Sequence, residues 1–93
     1  MNETVEREFA ISSELGLHAR PAGRFVSMAA RFTSEISVGR GDEWVDGRSV
    51  LSLLSLAAQS GSALRIRATG PDAAEAVEVL GKLLEDPEHD ALR

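Results

Sequence analysis

The sequence predicts an α+β fold in which helices cover one face of a small antiparallel sheet. Three observations predict it. Stretches of period two and stretches of helical spacing follow one another as strand, helix, strand, strand, helix, strand, helix. The clearest strand, residues 62–69, carries Leu64, Ile66 and Ala68 on one side and Arg65, Arg67 and Thr69 on the other, so its second face should meet water. The length of 93 residues suits one modest core, and residues 1–93 are read as a single domain whose ordered core spans about 5–85.

The elements follow in order. Residues 1–3 are expected to be loose. A strand over 5–12 puts Val5, Phe9 and Ile11 on one face, interrupted by Arg7. Gly16 gives the following loop backbone freedom. A helix over 19–32 accepts Pro21 in its first turn and carries Ala22, Phe25, Val26, Ala29 and Phe32 at core spacing. Residues 34–39 form a strand with Ile36 and Val38 inward, 39–42 a hairpin turn, and 43–45 the partner strand. Trp44 is read as a packing contact on the hairpin face.

Ser49 is a good N-cap for a second helix reaching 58. Val50, Leu53, Leu54 and Ala57 make its stripe, which Leu51 and Leu56 widen beyond one buried face. Gly61 ends that unit. Asp72 followed by Glu75 has the form of a capping box for a third helix, whose core residues are Ala73, Ala76, Val77, Leu80 and Leu83. Asp86-Pro87 should close it, leaving a frayed acidic tail with an inert His89.

Composition narrows the function. A net charge of −5 argues against nucleic acid as a partner. Cysteine is absent, which removes disulfides and thiolate chemistry, and two histidines are too few for a structural zinc site. No metal and no cofactor are expected. No apolar run has membrane-spanning length and residues 1–10 lack the shape of a signal peptide, so a cytoplasmic monomer is the default.

The chemistry centres on His18. It stands at the mouth of the first helix, where first-turn amides and the positive end of the dipole favour an anion. Arg20 adds a guanidinium fork suited to phosphate oxygens. A cation at a helix N-terminus is mildly unfavourable, and a dianion bound there would explain it. A nucleophilic imidazole beside an anion site points to phosphoryl acceptance. The single active-site histidine has no serine and carboxylate set around it in sequence that would suit a hydrolase.

The run Gly16-Leu17-His18-Ala19-Arg20-Pro21-Ala22 resembles the active-site signature of the HPr family, the histidine phosphocarriers of the phosphoenolpyruvate-dependent phosphotransferase system. The run from Asp46 to Leu56 is similar to that family's regulatory-serine segment, and the likeness spans roughly Val5 to Leu84. It implies an open-faced β-sandwich, a four-stranded antiparallel sheet with three helices on one face in the order βαββαβα. It implies a stoichiometric carrier rather than an enzyme, with His18 accepting phosphate on Nδ1 from enzyme I and passing it to an enzyme IIA-type domain. Arg20 would stabilise the phosphate charge. Ser49 would be a regulatory phosphorylation site, with an HPr kinase/phosphorylase and a transcription regulator as further partners. Arg24, Val50, Leu51 and Leu54 would belong to the docking surface. Leu15 departs from the small polar residue found there in many relatives. Two alternatives stay open: an interaction protein governed by Ser49, and a carrier of the nitrogen-related branch that controls other proteins without moving sugar.

Overall fold

The computed structural model describes residues 3–12 and 15–85. Its elements are β1 (Glu3–Ala10), α1 (Ala19–Ala29), β2 (Glu35–Arg40), β3 (Glu43–Asp46), α2 (Val50–Ser55), β4 (Ala63–Gly70) and α3 (Ala73–Glu85), in the expected order. The four strands lie in the order β1-β4-β2-β3 with antiparallel neighbours throughout. The three helices cover one face, as in an open-faced sandwich.

Alternation in β4 decides the register. Leu64, Ile66 and Ala68 are fully buried, and they sit opposite Phe9, Arg7 and Val5 of β1. On the other side Ile66 and Ala68 face Val38 and Ile36 of β2. A slip of one residue would turn this apolar set to solvent. Over the sheet, α3 buries Ala73, Ala76, Val77 and Leu80, and α1 buries Ala22, Phe25 and Ala29. These are the apolar faces that helical spacing marks in the sequence.

Several boundaries differ from expectation. Glu3 is not loose: it pairs with Gly70 at the end of β1. Helix α1 stops at Ala29, because the amides of Arg31 and Phe32 bond only three residues back, to Met28 and Ala29, in a tightened last turn. Helix α2 stops at Ser55 for the same reason: the amides of Leu56 and Ala57 reach Leu53 and Leu54. Its buried stripe is therefore Leu53 with Leu56, whereas Ala57 is exposed. The outer sheet face is also less open to water than alternation suggests. Trp44 lies under two guanidinium groups, 3.9 Å from Arg67 and 4.6 Å from Arg65, and Glu6 pairs with Arg67 at 3.1 Å. The expected helix end at Asp86-Pro87, the acidic tail and His89 fall outside the described residues.

Asp72 serves the tertiary fold more than its own helix. Its carboxylate accepts four hydrogen bonds from the loop before β2: the amide and hydroxyl of Thr33 at 2.9 and 3.1 Å, and those of Ser34 at 3.0 and 2.6 Å. Arg48 holds the same loop from the other side, donating to the carbonyls of Phe32 and Ser34 at 2.6 and 2.9 Å. Bonding from the Ser34 hydroxyl, then from the Thr33 amide, lowers the Asp72 pKa from 3.8 to about 2. A folded-state value below the ordinary one means that the clamp stabilises the protein above pH 3.8 and loses that effect as pH falls through about 2. Asp72→Asn should therefore be less stable than the parent at neutral pH, and denaturant melts should show the gap closing at the acid end of that window. A gap that persists unchanged there would mean that the carboxylate charge is not what holds the loop.

Candidate functional site

His18 is the N-cap of α1. Its backbone is extended (φ −106°, ψ −174°), and its carbonyl accepts the Ala22 amide at 3.0 Å, the first intrahelical bond. Its side chain makes no capping bond. An N-cap side chain bonds the second or third helical amide, and Pro21, the third helical residue, has no N–H, which removes one of those two donors. The half-buried imidazole is thus left for other work at the mouth of a helix whose first amides, those of Ala19 and Arg20, have no intrahelical partner.

Two contacts fix the approach to His18. The Leu17 amide donates to the Ala58 carbonyl at 2.9 Å, and the His18 amide donates to Gly16 at 3.1 Å. Leu17 itself is buried in the core. The histidine backbone is therefore seated between the core and the segment that follows α2.

Arg20 is exposed in the first turn of α1. With Gly23, Arg24, Ser27, Met28 and Arg31 it lines a shallow groove along that helix, so three guanidinium groups share one side of it. Arg24 is half-buried there. Ser49 caps α2 as the sequence suggests, its hydroxyl accepting the Ser52 amide at 3.2 Å. Leu51 is 80% exposed and Leu15 77%, whereas Val50 and Leu54 pack against the core edge. Among the described residues no group of three His, Cys, Asp or Glu could hold a metal ion, and no helix is long and apolar enough to cross a membrane.

Residues 5–86 match the family described as "PTS HPr component phosphorylation site". The chain belongs to the HPr family. HPr proteins are phosphocarriers of the phosphotransferase system, and this chain is 39% identical over 79 residues to the phosphocarrier protein HPr of Pseudomonas putida, covering 84% of this chain and 88% of that one. It is 41% identical over 81 residues to the HPr-like protein Crh of Halalkalibacterium halodurans, covering 87% and 96%. The crystal structure of HPr from Bacillus anthracis superposes with a TM-score of 0.83 at 36% identity, covering 87% and 96%.

Set on the HPr fold, the expected residues separate into two places. His18, Arg20 and Arg24 share the first turns of α1, and Ser49, Val50, Leu51 and Leu54 share the start of α2, which packs beside it. Sequence reasoning missed Arg40, Ala57 and Ala58. The Ala58 carbonyl carries Leu17, yet an alanine chosen for its carbonyl leaves no mark in sequence. Ala57 takes a left-handed backbone (φ 52°) without being glycine, so the usual signal of such a turn is missing. Arg40 lies in a hairpin that reads as simple connection.

Proposed function

We propose that His18 accepts a phosphoryl group from phospho-enzyme I and hands it to an enzyme IIA-type acceptor. The observation that carries this reading is the N-cap imidazole that makes no cap bond, set before the first-turn amides with Arg20 beside it. In the transfer an imidazole nitrogen of His18 gives its electron pair to phosphorus as the P–N bond to the donor histidine breaks. The donor ring keeps that pair and, protonated on its other nitrogen, leaves neutral. His18 becomes the matching protonated phosphoimidazole, so atoms and charge balance without a cofactor. Transferring phosphate between like groups leaves positioning and charge stabilisation as the protein's whole task. Arg20 supplies the second, and the amides of α1 assist it.

Docking falls to the surface around this site. The exposed Leu51 extends an apolar patch beside the basic groove, with Val50 and Leu54 at its rim and Arg24 within the groove. Ser49 is the regulatory position. A phosphate there sits at the positive end of α2 and keeps the cap, so its effect falls on enzyme I docking rather than on the fold. An HPr kinase/phosphorylase would add it, and a transcription regulator would read it. The likeness to the HPr-like protein Crh favours a second reading, a carrier whose main output is control of other proteins. The work is cytoplasmic in either case.

Incubation with phosphoenolpyruvate and enzyme I should add one phosphoryl group by intact mass, lost on acid treatment. His18→Ala should abolish it while remaining folded, and undiminished labelling of that variant refutes the assignment. In the same assay Leu51→Glu should slow acceptance with little loss of thermal stability; unfolding instead would place Leu51 in the core. ATP with an HPr kinase should label the parent and not Ser49→Ala. No label on the parent leaves Ser49 as a cap alone.

A further inference from the structure

Arg40 ends β2, at the tip of the β2–β3 hairpin. Its side chain crosses to the end of α2, where one guanidinium nitrogen donates to the Leu56 carbonyl at 2.9 Å and to the Ala57 carbonyl at 3.2 Å. The last carbonyls of a helix have no intrahelical donors, and a cation there meets the negative end of the dipole. The next feature along the chain is the left-handed Ala57 (φ 52°), a conformation in which Cβ crowds the following carbonyl. The residue after that, Ala58, receives the Leu17 amide at 2.9 Å, immediately before His18. A side chain from the hairpin, a strained turn and the histidine backbone thus form one connected run of contacts.

We infer that Arg40 is a positioning residue for His18, holding the Ala57 turn in its left-handed form so that the Ala58 carbonyl stays on the Leu17 amide. The inference rests on the reading of His18 as phosphoryl acceptor. Strain at an ordinary alanine persists only where the surroundings enforce it, and Arg40 is the group that grips both carbonyls at that turn. Without the grip, Ala57 can relax to a right-handed or extended backbone. That relaxation swings the Ala57–Ala58 peptide, withdraws the Ala58 carbonyl and lets residues 16–18 drift from the helix mouth. Arg40 itself is exposed and takes no part in the core, so its removal tests the turn and not the fold.

The test compares Arg40→Met, Arg40→Lys, Ala57→Gly and the Arg40→Met/Ala57→Gly double variant. The first readout needs no phosphate: the amide resonance of Leu17 and the ring resonances of His18. The second is the labelling rate of His18 by phosphoramidate, in which the imidazole attacks phosphorus, the P–N bond breaks and ammonia leaves, so no partner protein enters. Arg40→Met should move the Leu17 and His18 signals and slow labelling on the order of tenfold, less than the roughly hundredfold that a 1 Å misplacement can cost. Arg40→Lys, which keeps a donor for the carbonyls, should recover part of the rate. Ala57→Gly should restore both readouts in the Arg40→Met background, because glycine holds the left-handed turn without help. Wild-type signals and rate in Arg40→Met overturn the inference. So does a loss in Arg40→Met that Ala57→Gly leaves uncorrected, since the effect would then not pass through the turn. Failure of phosphoramidate to label the parent would count against His18 as acceptor, whereas the resonances would still decide the part played by Arg40.

Discussion

Arg20→Ala should slow phosphoryl transfer to His18 by on the order of a hundred- to a thousandfold, matching the 2.7–4 kcal/mol or so lost when one donor is removed from a comparable oxyanion site. The transferring group spreads negative charge over its oxygens, and the backbone offers it first-turn amides at the mouth of α1. Pro21 contributes no amide there, which leaves more of the task to a side chain. Stability should move by no more than about 0.5 kcal/mol, because Arg20 is exposed. The change could even be favourable, since a cation at a helix N-terminus opposes the dipole. Arg20→Lys should fall between parent and alanine: it retains the charge and loses the planar fork. Transfer rates from labelled enzyme I beside denaturant melts check both halves. A folded Arg20→Ala protein with an unchanged rate would remove the side chain from the chemistry.

Much of this was legible in residue order. The element sequence, the inward faces of β4 and α3, and the Ser49 cap follow from periodicity and capping chemistry, since each depends on residues within a few positions of one another. The position of His18 and Arg20 at the start of α1 is legible for the same reason: a helix start, its proline and its first cation lie in a single stretch. What sequence hid acts across long separations through backbone atoms. Arg40 and the carbonyls it grips are 16 and 17 positions apart, and Asp72 and the loop it clamps are 38 and 39 apart. The spacing of Asp72 and Glu75 suggested a local box, yet four donors on the neighbouring loop outbid a bond within its own helix turn. The end of α2 was misplaced because Leu54 and Ala57 continue the helical pattern, while the backbone has already turned left at Ala57.

Gly16 shows how a residue chosen for freedom can also be chosen for want of a side chain, and two glycines separate the effects. Gly16 and Gly61 both have positive φ, 74° and 86°. A Cβ on Gly61 would meet nothing within 4 Å, whereas one on Gly16 would lie 2.4 Å from the Ala58 carbonyl oxygen and 2.8 Å from the Gln59 Cα. Gly61→Ala should therefore show the backbone cost alone, roughly 1–2 kcal/mol. Gly16→Ala should show that cost and a further penalty, because both crowded atoms belong to the backbone and cannot rotate aside. Relief requires the loop to part from residues 58 and 59, which breaks the Leu17–Ala58 bond at a net cost of about 1 kcal/mol. The total for Gly16→Ala should thus be about 2–3 kcal/mol. The same parting moves His18 relative to the mouth of α1, and a shift near 1 Å would slow acceptance by roughly a hundredfold. Gly61→Ala should be labelled at the parent's rate. Equal destabilisation of the two variants, with normal labelling of Gly16→Ala, would mean that the loop yields at no cost and that the Ala58 contact does not hold the histidine in place.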